Sequence, residues 1–170
     1  FAIDVTGGSF TMDGGIFHIR ENPASPGIYY GIYAREFGEG TTNQIVRFSG
    51  APTLNAEQMV ISDASPAASG GSLPGGRFRN PLPLASGGMV ASYTPDATFG
   101  GSSTLRLHQL NVNASNMYVA GPALTPGIQK TVSWWADGAT PRQYSGLLWE
   151  IEAVEVVART PPPMTGHPEI

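Results

Sequence analysis

Apolar and polar positions alternate along this chain in short runs rather than in long helical stripes. Leu105-Arg106-Leu107-His108-Gln109-Leu110 is the clearest run; its alternation predicts a half-buried strand with three leucines on one face. The run Ile28-Tyr29-Tyr30-Gly31-Ile32-Tyr33-Ala34-Arg35 is rich in aromatic and β-branched residues, the side chains that suit a pleated, half-buried surface. Residues 1–5, 9–12, 16–20, 44–48, 59–61, 89–94, 117–119 and 132–135 read as further short strands. The longest apolar segment, residues 146–159, allows a helix through Leu148, Ile151 and Val154. Its β-branched Ile151, Val154, Val156 and Val157 favour a strand, with Glu152 and Glu155 toward solvent.

Turn chemistry separates the runs. Asp13-Gly14-Gly15 and Asp137-Gly138 are hairpin signals, because such turns need residues that accept positive φ. Residues 62–76 form a long Ser/Ala/Gly connection without periodicity, expected to be mobile. Pro81 and Pro83 forbid a helix or a central strand around residues 77–84. The glycine pairs Gly14-Gly15 and Gly87-Gly88 each lead an apolar pair, a trace of blade-like repetition, although no clean internal repeat is visible. Together these features predict an all-β fold, either propeller-like blades or an irregular β-sandwich with long Gly/Pro-rich loops. On this reading residues 1–160 form one all-β domain, expected to be a fragment of a larger protein, and residues 161–170 a proline-rich tail or linker.

Composition narrows the possibilities. Of 170 residues, 22 are glycine and 15 proline, and charged residues make up only 13%, against about 25% in an average globular protein. The formal net charge is -4, and eight of nine basic residues are arginines scattered along the chain. Nucleic-acid binding needs clustered cations to neutralise phosphates, so it is not expected. Cysteine is absent, which excludes disulfides, thiolate metal ligands and thioether-linked haem within these residues. No apolar run is long enough for a membrane-spanning helix, and no membrane insertion is expected.

Candidate chemistry is sparse. His18 and His108 lie on separate strands and would bind a metal only if they converged with a carboxylate such as Asp96 or Asp13; ordinary strand histidines are the simpler reading. His167 follows the proline run. Asp96 and Asp137 sit in turns where a structural calcium is conceivable, but no EF-hand loop is present. Glu150, Glu152 and Glu155 are the densest acidic group; a solvated strand face explains them better than paired catalytic carboxylates. No G-x-S-x-G elbow is present. Aromatic residues offer the best ligand surface: Tyr30 and Tyr33 in one strand, Trp134 and Trp135 in another. Adjacent strand residues face opposite ways, so an exposed indole beside Arg142 could stack on a sugar or a peptide side chain. The ordinary expectation is that both indoles are packed.

Two segments carry a family resemblance. Residues 75–94, GGRFRNPLPLASGGMVASYT, and 147–163, LLWEIEAVEVVARTPPP, resemble large secreted bacterial proteins related to the alpha subunit of hydrazine synthase, in the middle domain and its attached propeller repeats. The resemblance implies a periplasmic or extracellular β domain that is one part of a larger protein. It does not carry over catalysis, since those enzymes fix haem through Cys-x-x-Cys-His and no such motif exists here. The resulting expectation is a non-catalytic structural or interaction domain whose partner is a neighbouring domain or another chain. A carbohydrate- or peptide-binding module and a metal-dependent enzyme fragment are the alternatives.

Overall fold

The computed structural model describes residues 14–34, 43–51, 53–55, 58–67, 73–97 and 104–158. The strands expected at 1–5 and 9–12, Asp13, and the tail with His167 lie outside the described residues. The fold is all-β, with three antiparallel sheets. The first sheet is a meander of β1 (Gly15–Glu21), β2 (Ile28–Ala34), β3 (Gln44–Ser49) and β4 (Val60–Asp63). The second is a meander of β5 (Arg77–Pro83), β6 (Met89–Thr94), β7 (Arg106–Val112) and β8 (Tyr118–Ala123). The third is a hairpin of β9 (Gln129–Ala136) and β10 (Thr140–Leu147). The strand orders are linear, and the described sheets close neither a barrel nor a propeller.

Several local expectations change. Pro81 and Pro83 lie inside β5, which the sheet tolerates because β5 is an edge strand. Strand β10 contains Pro141 on a two-stranded hairpin, so that residue too sits on an edge. Residues 148–158 form no strand, in place of the long strand expected at 146–159, of which only Gly146 and Leu147 lie in a strand, at the end of β10. The leucines of the 105–110 run do not share one face. Leu110 stands out of phase with Leu105 and Leu107 and enters the core on the other side. Part of the connection at 62–76 is packed: Ala64, Ser65 and Leu73 are buried, and Ser65 Oγ accepts the Ile45 N–H at 2.8 Å.

The two meanders are copies of one unit. In the first, Phe17 pairs with Ile32, Arg20 with Tyr30, and Ile32 with Ile45. In the second, Arg79 pairs with Ser92, Leu82 with Val90, and Ser92 with Leu107. Each pair of the first set maps onto its counterpart with a shift of roughly 60 residues. The copies also share a defect. His18 and Ile19 oppose the single residue Gly31, and Asn80 and Pro81 oppose Ala91, so both first strands carry a β-bulge at one position. The first bulge residue is left-handed in each, with φ of 54° at His18 and 49° at Asn80. The glycine pairs were out of phase with this repeat: Gly15 opens β1, whereas Gly88 precedes β6, a second strand.

The meanders pack together through Tyr30, Ile32, Ala34 and Ile45 of the first and Phe78, Met89, Ala91 and Leu110 of the second. Their junction is a backbone bridge in which Phe78 N–H donates to Asn43 O (2.8 Å) and Asn43 N–H to Phe78 O (3.0 Å). The other face of the first sheet buries Val46, Phe48 and Ile61 against Ile16, Tyr29 and Tyr33.

Candidate functional site

Between β8 and residues 148–158 the chain departs into the β9–β10 hairpin. Its tip is built from Asp137 and Gly138, both at positive φ (51° and 75°), with Ala139 N–H returning to Ala136 O. This is the mirror-image turn that matches strand twist and that the Asp-Gly pair predicts. At the base Leu148 N–H donates to Ile128 O at 2.9 Å. Cross-strand pairing sorts the side chains. Val132 opposes Tyr144 and Trp134 opposes Arg142 on one face; Thr131 opposes Ser145, Ser133 opposes Gln143 and Trp135 opposes Pro141 on the other. The second face carries a polar ladder, Thr131 Oγ1 to Ser145 Oγ at 2.8 Å and Gln143 Nε2 to Ser133 Oγ at 3.4 Å.

Both indoles are exposed, Trp135 at 70% and Trp134 at 47%, against the expectation that they pack. The reason is geometric: among the described residues no second layer covers either face of this two-stranded hairpin. The tyrosines expected to join them do not form one groove. Tyr30 is buried in the core between the meanders, and Tyr33 is half-buried on the opposite face of the first sheet.

Tyr30 does border a cleft. A cavity of about 460 Å³ lies between the first sheet and the β7–β8 turn, lined by Asn22, Tyr30, Arg47, Asp63, Asn116 and Tyr118 among others. Tyr30 and Tyr118 meet edge to face at 5.7 Å. Burial, followed by its hydrogen bond with Tyr30, pushes the Tyr118 hydroxyl up to about 12. Burial also raises the Asp63 carboxyl, although the Gln44 amide, 2.7 Å away, works against the rise. A Tyr118 hydroxyl held protonated gives this cleft a hydrogen-bond donor rather than a base.

The candidate metal ligands occupy three settings. Asn80 Nδ2 lies 3.1 Å from His18 Nδ1. Burial, then the Arg79 charge, lowers the His18 pKa, while Glu152 opposes the shift; a neutral ring that accepts at Nδ1 fits both observations. His108 Nδ1 lies 2.8 Å from Gly121 O, and its ring meets Tyr93 edge to face. Asp96 is tied to Arg77, whose Nη2 is 3.6 Å from the carboxylate and whose Nε donates to the Asp96 carbonyl at 3.0 Å. Among the described residues no three His, Asp or Glu side chains are placed to hold a metal ion.

Glu150 was expected on a solvated face and is not there. Its side chain is only 8% exposed, and its carboxylate accepts from Leu107 N–H (2.8 Å) and the Thr125 hydroxyl, with Arg106 Nε at 3.3 Å. Burial raises its pKa, but Thr125, Leu107 N–H and Arg106 outweigh that and hold it below the usual carboxylate value. Sequence reasoning passed over this cluster: alternation with Trp149 and Ile151 puts Glu150 on the polar face of a strand, and no local signal pointed to Arg106 and Thr125.

No protein-family model, curated protein or solved structure matches the chain.

Proposed function

We propose that this chain is a stretch of a propeller-like array of four-stranded repeats, serving as a non-catalytic structural and interaction domain of a larger exported protein. The β9–β10 hairpin, with both faces uncovered and an indole on each, is the observation that carries the interaction role. Exposed, adjacent tryptophans are interface anchors, because a large flat side chain buries much area at small entropic cost. The matching registers of the two meanders support the repeat array. The exported compartment rests on the resemblance of residues 75–94 and 147–163 to secreted bacterial proteins.

A photo-crosslinking amino acid at position 135, introduced in the producing organism, tests the role. A discrete cross-linked polypeptide is expected, either another chain or a neighbouring domain. Absence of any polypeptide adduct under conditions where the hairpin is intact would refute it. Carbohydrate binding is a second reading, favoured by the face that sets Trp134 beside Arg142 and Tyr144. It requires saturable quenching of tryptophan fluorescence by soluble oligosaccharides, lost in Trp134→Ser.

A further inference from the structure

We infer that the cleft between the first sheet and the β7–β8 turn is a binding site for a small hydroxylated carboxylate, a sugar acid in chemical class, whose carboxylate is taken by Arg47. No residue of the β9–β10 hairpin lines this cleft. Strand register builds its floor. Tyr30 pairs with Arg47 across β2–β3, and Arg47 pairs with Ser62 across β3–β4, so the three side chains form one row on one face of the sheet. The wall is the β7–β8 turn, pinned to the sheet by the bond from Tyr118 N–H to Ala64 O at 2.7 Å. The cavity volume, about 460 Å³, lies in the ordinary range for small-molecule sites.

The charge in this row is unbalanced. Arg47 is exposed and makes no ion pair among the described residues. Asp63, the one acid on the lining, is out of phase with the row: it pairs with Val46, and its carboxylate accepts from Gln44 Nε2 at 2.7 Å on the other face. A guanidinium presents a planar fork of N–H donors that fits a carboxylate with two parallel bonds. The rest of the polar lining suits hydroxyl groups. The Tyr30 and Tyr118 hydroxyls share one hydrogen bond, which leaves one O–H of the pair to donate. The Asn116 side-chain amide, exposed in the turn, both donates and accepts. Ile28 and Met117 supply apolar surface for the C–H groups of a sugar ring. A phosphate is the poorer fit, because phosphate sites recruit backbone N–H groups and the loop amides here are already used. Ala24 N–H donates to Asn22 Oδ1 and Ser25 N–H to Asn22 O; Ser115 and Met117 N–H both donate to Asn113 Oδ1. The same bonds hold both loops in shape before any ligand arrives, which lowers the entropic cost of binding.

Amide chemical-shift mapping of the full chain with D-glucuronate, D-galacturonate and D-gluconate tests this. At least one of the three should give saturable shifts at Asn22, Ser25, Arg47, Asn116 and Tyr118. D-Glucose and inorganic phosphate should each bind at least ~10-fold more weakly than that acid. Arg47→Gln should weaken binding of the acid by ~10-fold or more, and Arg47→Lys should recover part of the loss, since it keeps the charge and loses the fork. Arg47 is exposed, so both variants should unfold at the wild-type denaturant midpoint. No saturable shift with any of the three acids would overturn the inference, as would glucose bound as tightly as the best acid or an Arg47→Gln chain that binds like wild type. Phosphate bound as tightly would make the cleft a general anion site and overturn the sugar-acid assignment. Shifts confined to residues 131–145 would move the ligand to the hairpin and overturn it equally.

Discussion

The molecule builds one junction twice, with opposite chemistry. Where the first meander meets β5, the bridging residue is Phe78, packed in an apolar cluster with Tyr30, Ile32 and Ile45. Where the second meander meets residues 149–158, a single bond runs from Glu150 N–H to Leu105 O, and the Glu150 carboxylate is held by Arg106, Thr125 and Leu107 N–H. The backbone bond is the same within 0.1 Å, 2.8 against 2.9 Å. A junction of this kind can thus be filled by dispersion and burial or by a buried charge cluster. The apolar version depends on volume, and the ionic version depends on every partner being present.

The largest expected effect comes from the apolar junction. Phe78→Ala should lower unfolding free energy by about 3–5 kcal/mol, the range for deleting a buried phenylalanine with its cavity, read from the denaturant midpoint. A loss under 1 kcal/mol would mean that the junction is held by the backbone bridge and not by packing. Glu150→Gln should cost less, about 1.5–3 kcal/mol, the range for hydrogen bonds to a charged group, and Arg106 would then lack its counter-charge. The pH dependence separates the junctions further. A carboxyl whose folded pKa lies below its unfolded value stabilises the fold above the unfolded pKa, and that contribution is lost as pH falls through the folded value. Wild-type stability should therefore drop on acidification below about pH 4.5, and Glu150→Gln should flatten that drop. An identical acid limb in both proteins would remove Glu150 from the account.

The sequence was informative wherever the deciding physics was local. The β2, β6 and β7 runs, the Asp137-Gly138 turn and the all-β class follow from alternation and turn residues within a few positions. Pro81 and Pro83 barred a central strand, and β5 is an edge strand, a possibility the sequence reading did not raise. The repeat was hidden because register, not residue identity, carries it: Phe17 occupies the place of Arg79, and Ile32 that of Ser92. Glycine pairs, being turn residues, recur at any reversal and gave the wrong phase. The burial of Glu150 depends on Arg106 and Thr125, which only the tertiary fold brings near. For the hairpin, the alternation placed the indoles on opposite faces, but nothing local revealed that neither face would be covered.

The left-handed backbone at Asn80 and Glu152 permits a finer comparison. Asparagine accepts a left-handed backbone better than most side chains, whereas glutamate is poorly suited to it. Glu152→Gly should therefore raise stability by about 0.5–1 kcal/mol, since Glu152 is exposed and has φ of 57°. Asn80→Gly should gain less, because it also removes the contact with His18. Equal responses at the two positions, measured by thermal and denaturant unfolding, would mean that the His18 contact of Asn80 contributes nothing measurable.

The smallest effect should lie in the hairpin, and its smallness is informative. Trp135 opposes Pro141, is 70% exposed and lies on the polar-ladder face of a two-stranded element. Trp135→Ser removes a large side chain, yet little of it is withdrawn from water, so the cost to global stability should stay within about 0.5 kcal/mol. Opening of the hairpin is a local event, governed by its own turn and cross-strand bonds and largely separate from the meander core. A loss above 1 kcal/mol would place the indole against protein in solution and make the hairpin part of the core. A neutral substitution would leave an exposed indole that contributes little to folding, and a role in binding would then be the reason to look at this residue first.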